Sequence, residues 1–348
     1  MLKILLYPFA LVYNLITFCR NKLYDWNVFK SYNPENTVVC VGNLSVGGTG
    51  KTPHIEYCVR LCEQVDGLAI LSRGYKRKTK GFRLAGNQST ADSIGDEPFQ
   101  YYNKFKNISV AVDEKRARGI KKLNKKRDPK LILLDDAFQH RKVKANLNIL
   151  ITDYSNLFTK DLLMPAGRLR ENRFGAKRAE LIIVSKCPEQ LSDEEKEKIK
   201  KKIKFYSQAQ VLFSKVKYSS VEQLFSDESD WKSNKYEHLV AITGIAKSKA
   251  FVKNLNSKAE YVRHYDFPDH HRFKSKEIKK IVKQFHLIPS ENKAIITTEK
   301  DAMRLMQFKN ELNGVDVFYQ PIEVEMNADD KAFLKTRLLE TLTKNQKS

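Results

Sequence analysis

The sequence predicts an α/β protein: a P-loop-type, doubly wound, mostly parallel sheet, with a second, smaller α/β unit after it and an N-terminal membrane-associated helix before it. Three observations carry this expectation. Short apolar runs alternate with helix-length segments, the first of those runs ends in a glycine-rich turn, and sixteen almost wholly apolar residues lie near the start of the chain. At 348 residues the chain is long enough for two domains with separate cores. The expected division is 1–27 for the helix, 28–220 for the sheet carrying the glycine-rich turn, and 221–348 for the smaller unit.

The opening segment, Ile4 to Cys19, is interrupted only by Pro8, Asn14 and Thr17, with Lys3 before it and Arg20 and Lys22 after it. As a helix it spans about 24 Å at ~1.5 Å per residue, short of the ~30 Å hydrocarbon core of a bilayer. No small-residue cleavage site follows it. Tyr7, Tyr13, Tyr24 and Trp26, with Arg20 and Lys22, read as interfacial anchors around a membrane-seated helix. A buried core helix is the alternative that its length permits.

Strands follow at Thr37 to Val41, Leu68 to Leu71, Ile108 to Val112, Leu131 to Leu134, Leu147 to Ile151 and Leu181 to Val184. Continuous apolar strands separated by helical segments indicate a parallel sheet covered on both faces. Ser192 to Lys204 reads as a charged helix, and the Ser/Asp/Lys-rich stretch Ser219 to Lys235 as the connection to the second unit. There, strands at Leu239 to Ile242, Glu260 to Tyr265, Ala294 to Thr298 and Val315 to Tyr319 alternate with helices at Ser248 to Leu255, Lys274 to Phe285 and Glu299 to Phe308.

Lys and Arg number 63 against 41 Asp and Glu, a formal charge of +22 that calls for an anionic partner: nucleic acid, an acidic membrane or a phosphorylated substrate. No basic run is interleaved with regular aromatics and no zinc-finger or RNA-binding signature appears, so nucleic acid is not the expected partner. The five cysteines, Cys19, Cys40, Cys58, Cys62 and Cys187, lie largely in apolar patterns without C-x-x-C spacing and read as reduced core residues.

The chemistry centres on Ser45, Val46, Gly47, Gly48, Thr49, Gly50, Lys51 and Thr52. The glycines let backbone amides curl around a polyphosphate, Lys51 reaches β/γ oxygens, and the Thr52 hydroxyl is placed for Mg²⁺. Ser45 stands where the strict pattern has glycine, so the loop is a variant. Asp135 and Asp136 end an apolar strand, where a P-loop enzyme keeps carboxylates for Mg²⁺; both can serve only if the chain turns there, because adjacent strand residues face opposite ways. Asp96 and Glu97 lie in a loop in which Pro98 is expected to exclude helix at Glu97. Arg73, Arg116, Arg168, Arg170 and Arg173 provide forks for phosphate oxygens. Asp269, His270 and His271 lack the spacing of a tetrahedral zinc site and suit a proton-orienting role better.

Together the segments Val41 to Pro53, Leu71 to Tyr75, Gly95 to Pro98, Leu134 to His140, Pro165 to Glu171, Phe267 to His270 and Thr298 to Asp301 resemble the tetraacyldisaccharide 4′-kinase (lipid A 4′-kinase) family of Gram-negative bacteria. The resemblance implies transfer of phosphate from ATP to the 4′-hydroxyl of tetraacyldisaccharide 1-phosphate, giving lipid IVA, at the cytoplasmic face of the inner membrane, with no obligate protein partner evident. It implies that Lys51 and its loop hold ATP, that Thr52, Asp135 and Asp136 hold Mg²⁺, that Asp96 is the base with His270 as its partner, and that Glu97, Arg116 and Arg168 support the phosphate or metal site. Ala137, where the family usually has glycine, and His271 beside His270 are departures. From the residues alone, an acceptor-independent ATPase switch and a basic nucleic-acid-binding ATPase stay open.

Overall fold

A computed structural model describes residues 2–226, 230–231 and 236–346. The chain forms two compact units, one of residues 1–216 with 324–348 and the other of residues 217–323. The expected connection Ser219 to Lys235 lies partly outside the described residues, at 227–229 and 232–235.

The first unit opens with α1 (Leu2–Asp25) and is built on the strands β1 (Thr37–Gly42), β2 (Leu68–Ser72), β3 (Arg83–Leu84), β4 (Ser109–Val112), β5 (Leu131–Asp135), β6 (Leu147–Asp153), β7 (Leu181–Ser185) and β8 (Gln210–Phe213). Their order is 3-4-2-5-1-6-7-8. The pairings are parallel except at the edge, where β3 runs against β4. Helices α2 (Lys51–Leu61), α3 (Ala91–Ile94), α4 (Asp96–Lys104), α5 (Arg116–Arg127) and α6 (Asp193–Lys204) connect them. Period-two alternation divides each central strand between two cores. Val38, Ile132, Leu134, Leu150 and Ile182 pack with Ile120 of α5 and Ile203 of α6. Val39, Leu131, Leu133, Ile149 and Ile183 pack with Ile55 and Val59 of α2 on the other face.

In the second unit a five-stranded sheet takes the order 10-14-13-11-12 from β10 (Glu222–Gln223), β11 (Tyr236–Thr243), β12 (Ala259–Asp266), β13 (Lys293–Thr298) and β14 (Val317–Gln320). It is parallel apart from β10, and α7 (Lys249–Leu255), α8 (Ser275–His286) and α9 (Glu299–Leu305) connect its strands. Leu239, Ala241, Ala294 and Ile296 form its core with Phe251 and Leu255 of α7. The paired strands β9 (Lys215–Tyr218) and β15 (Ile322–Glu325) carry the chain out of the first unit and back.

Three findings correct or narrow the sequence expectations. The second unit does not run to the C-terminus: α10 (Ala328–Gln346) buries Leu334 and Leu338 in the same core as α2, so residues 324–348 belong with the first unit. Helix α1 is not a buried core helix. Ala10 and Tyr24 are buried, whereas Phe9 and Ile16 are 65% and 62% exposed. Among the described residues no helix is long and apolar enough to cross a membrane. Cys19 is exposed, while the other four cysteines are buried and none is disulfide-bonded.

Candidate active site

The glycine-rich turn leaves β1 where the strand order reverses, with β5 on one side and β6 on the other. Ligands of open α/β sheets bind at that crevice, beyond the carboxyl ends of the strands. Gly50 caps α2 with φ of 88°, a left-handed conformation that glycine takes at no steric cost. Lys51 is therefore the first residue of a helix whose N-terminal amides and dipole favour an anion.

Several groups from distant elements fix the turn. The Asn43 Nδ2 donates to Thr49 Oγ1 at 2.8 Å. Ser185, at the end of β7, donates to the Thr49 carbonyl at 2.7 Å, and Lys186 Nζ reaches the Gly48 carbonyl and, at 3.2 Å, Asp153. Burial pushes His54 down to about 4, with a smaller contribution from Lys186, so its ring is neutral at physiological pH. Because the Gly50 carbonyl can only accept, Nδ1 carries the proton and donates to it at 2.7 Å, leaving Nε2 to accept from Ser214 Oγ at 2.9 Å.

The loop from Pro165 to Arg173 pairs with the turn as a short antiparallel bridge between Ser45 and Leu169. Val46 N–H donates to the Arg168 carbonyl at 2.8 Å, and Arg170 N–H to the Leu44 carbonyl at 2.7 Å. This directs Arg170 Nη1 onto both carboxylate oxygens of Asp136, at 2.9 and 3.0 Å. Lys51 Nζ lies 3.6 Å from the same carboxylate. Arg168 itself pairs with Asp161 at 3.3 Å.

The turn required for both aspartates to serve is present, because Asp136 has φ of 48°. Asp135 is buried and accepts from Ser72 Oγ at 3.0 Å. Burial, with Asp136 and Glu97 nearby, pushes Asp135 up to about 6 against the pull of Lys51. Burial raises Asp136 too, but Lys51 and Arg170 outweigh it and hold that carboxyl below its usual range. Asp135 is thus the member of the pair pushed toward the protonated form, and Asp136 the member held toward the anion. Arg116 is buried beneath them, donating to the backbone carbonyls of Asp135 at 2.9 Å and Asp113 at 2.8 Å. Burial lowers Arg116 to about 10, so it stays a cation at the aspartates' back.

Asp96 and Glu97 are not in a loop: they form the first turn of α4. Proline is tolerated there because first-turn amides have no helical acceptor, so Pro98 does not exclude helix at Glu97. A Cβ on Gly95 would come within 3.1 Å of the Gly74 Cα, so only glycines allow the turn before α4 to touch the turn after β2. Ser72, two residues before Gly74, holds Asp135, which places Glu97 among the charges acting on that carboxyl.

In the second unit His270 has φ of 60°, and its Nε2 lies 3.1 Å from Lys300 Nζ. His271 is 2.9 Å from Glu277 and stacks on Phe267. Among the described residues no three His, Cys, Asp or Glu side chains cluster as a self-sufficient metal site. Two carboxylates and a hydroxyl nevertheless suit Mg²⁺, a hard cation that completes its shell with nucleotide phosphates and water.

The arrangement can grip a triphosphate, offer hard oxygen ligands and neutralise developing charge. Sequence reading missed the bidentate Arg170, the Ser185–Lys186 brace and His54. Arg170 was readable only as one of several loop arginines, since its partner lies 34 residues away.

The sequence model of the tetraacyldisaccharide-1-P 4′-kinase family matches residues 2–343. A tetraacyldisaccharide 4′-kinase of Flavobacterium psychrophilum is 45% identical over 335 residues, 95% of this chain and 94% of the relative. One from Bacteroides thetaiotaomicron is 41% identical over 343 residues, 94% and 90% of the two chains. The crystal structure of an "apo" form LpxK from Aquifex aeolicus in complex with ATP superposes with a TM-score of 0.75 at 29% identity, covering 97% of this chain and 99% of that one.

Proposed function

The chain belongs to the tetraacyldisaccharide-1-P 4′-kinase family, and from that premise we infer that it transfers the γ-phosphate of ATP to the 4′-hydroxyl of tetraacyldisaccharide 1-phosphate, forming lipid IVA. The observation that carries this reading is the meeting, at one sheet edge, of a phosphate cradle, Lys51 and a pair of strand-end aspartates.

The residues Ser45 to Thr52 bind the polyphosphate, with Lys51 and the amides at the start of α2 on its terminal oxygens. Thr52, Asp135 and Asp136 would hold Mg²⁺, with Glu97 in support, and the cation would supply neutralisation of phosphate charge. Arg170 stands beside Asp136 as a further cation for the transferring group, next to Arg116 and Arg168, which the resemblance implied as support for the phosphate or metal site.

Asp96 takes the proton of the acceptor hydroxyl. A carboxylate is a weak base for a sugar alcohol, but a loose phosphoryl-transfer transition state lets proton removal come late. His270 is assigned to orient Asp96 or share its proton.

The acceptor dictates location. Burying one acyl chain of a dozen methylenes is worth about 9 kcal/mol at ~0.8 per CH₂, so four chains stay in the bilayer and the catalyst goes to them. Helix α1 turns Tyr13, Asn21 and Arg20 toward the protein, donating to the Arg170 carbonyl, Glu171 and the Gln139 carbonyl at 2.8, 2.7 and 2.8 Å. Its apolar side, with Phe9, Leu11, Leu15 and Ile16, faces outward. This inverted amphipathicity supports docking on the cytoplasmic face of the inner membrane, aided by the +22 charge.

Purified protein given Mg²⁺-ATP and the disaccharide lipid is expected to place phosphate on the sugar. ATP hydrolysis without lipid phosphorylation would overturn the reading in favour of a nucleotide switch. Asp96→Asn is expected to retain ATP binding while turnover falls by roughly 10²–10⁴; near-normal turnover would remove Asp96 from the base role.

A further inference from the structure

We propose that Lys300 is a positioning residue for His270: its ammonium holds the ring through Nε2, so that the imidazole presents Nδ1–H to its carboxylate partner. The inference deepens the assignment of His270 as the partner of Asp96 and rests on it.

The segment Thr298 to Asp301 is one of those that carry the family resemblance, and it caps and opens α9. Thr298 Oγ1 accepts from the Asp301 N–H at 3.2 Å and donates to the Asp301 carboxylate at 2.7 Å. Asp301 is fully buried and also accepts from the Gly244 N–H and from Arg304 Nη1, both at 2.9 Å. The same arginine nitrogen donates to the carbonyls of Gly244 at 3.2 Å and His271 at 3.3 Å. The Gly244 carbonyl in turn accepts the His270 N–H at 2.9 Å. The start of α9 therefore grips the main chain on both sides of the His270 ring. That grip explains how a histidine keeps φ of 60°, a left-handed conformation that persists only where its surroundings impose it.

These bonds fix the backbone and leave the orientation of the ring to its own contacts. Lys300 Nζ lies 3.1 Å from His270 Nε2, whereas Asp269 Oδ2 is 4.0 Å from the same nitrogen, beyond hydrogen-bond reach. An ammonium carries three donors and no lone pair, so Nε2 must accept. In the neutral ring the proton then sits on Nδ1, because the bond made by one nitrogen sets the state of the other. Nδ1–H is a donor, which is what orienting a carboxylate requires. Lys300 directly precedes Asp301, so one helix start sets both the backbone and the tautomer of His270.

The test is a double-mutant cycle in the full chain with Lys300→Met, which keeps the length and apolar stem of the side chain, His270→Ala, and the two combined. Lys300→Met is expected to lower kcat by roughly 10–100-fold, as misplacement of a catalytic group does, with KM for ATP and the melting temperature near wild type. Added to His270→Ala, it is expected to change turnover by no more than about twofold, because the group it positions is already gone. Lys300→Arg, which keeps a cationic donor, recovers part of the loss. Imidazole nitrogen chemical shifts, with the His270 signals identified by their absence in His270→Ala, are expected to show Nδ1 protonated in the wild type and a shift toward Nε2 protonation in Lys300→Met. Should the Met variant fail to fold, Lys300→Gln serves the same comparisons. Wild-type kcat in a folded Lys300 variant, an unchanged tautomer, or an equal further loss in the His270→Ala background overturns the proposal. Wild-type turnover of His270→Ala would instead remove His270 from the reaction, and the role of Lys300 with it.

Discussion

Asp135 and Asp136 are neighbours in sequence with opposite electrostatic circumstances. Asp136 is neutralised by Lys51 and Arg170, whereas Asp135 is buried with a weaker counter-charge and is pushed up to about 6. An unfolded aspartate titrates near 3.8, so between about pH 4 and pH 6 the native chain holds a proton at Asp135 that the unfolded chain has released. Stability from this group accordingly falls as pH rises through that window. Asp135→Asn is expected to raise metal-free stability above pH 6 by about 1–3 kcal/mol, with the gain gone near pH 4, while kinase activity is lost. Melting temperature against pH, for both proteins in chelator, checks it; equal stability at pH 7.5 would show that Asp135 is not held at a cost. The residues of this pair were legible because a strand end with two carboxylates is a local signal. Arg170, Ser185 and Lys186 were not, because what distinguishes them is a partner reached through the tertiary fold, as in Ser185 donating to Thr49 from 136 residues away.

At the scale of elements, helices were misread where polar residues have local explanations. Pro98 looked like a helix breaker but falls in a first turn, and Asn14 and Thr17 looked like interruptions of an apolar span. In α1 they belong, with Ala10, Tyr13, Asn21 and Tyr24, to the stripe that packs on the protein, and the spacing of that stripe was present in the sequence. The glycines before α4 carry a sharper consequence. Gly95 has φ of 98° and sits against Gly74, so a methyl group there strains the backbone and pushes apart the two turns that set Asp96 and Ser72. Gly95→Ala is expected to cost about 1–3 kcal/mol of stability and to lower turnover more than ATP affinity, since the phosphate cradle is built on a different turn. Thermal unfolding beside nucleotide titration and kcat reads this out, and an equal loss in binding and turnover would mean that the strain reaches the cradle.

For the whole molecule, the parallel sheet of the first unit was legible from its apolar strands, but the ownership of the C-terminus was not. Helix α10 shows no motif, and what assigns it is burial of Leu334 and Leu338 in the same core as α2, a helix more than 260 residues earlier in the chain. Membrane docking likewise belongs to the assembled molecule, because it combines the outward face of α1 with a charge spread over the chain. Phe9 and Ile16 are well exposed, so Phe9→Glu with Ile16→Glu removes apolar contact with lipid while leaving the packed stripe of α1 intact. The expected change in thermal stability is within about 0.5 kcal/mol. Recovery on anionic vesicles is expected to fall at least about tenfold, since transferring two large side chains is worth roughly 3 kcal/mol or more. Residual binding then rests on the remaining apolar residues of that face, Leu11 and Leu15, and on basic side chains at about 1 kcal/mol each near the surface, and is more sensitive to high salt than wild-type binding. Turnover on acceptor dispersed in detergent stays near wild type while turnover on acceptor in bilayers drops. Vesicle recovery of the double variant equal to wild type in high salt would show that Phe9 and Ile16 are not the apolar contacts that anchor the chain.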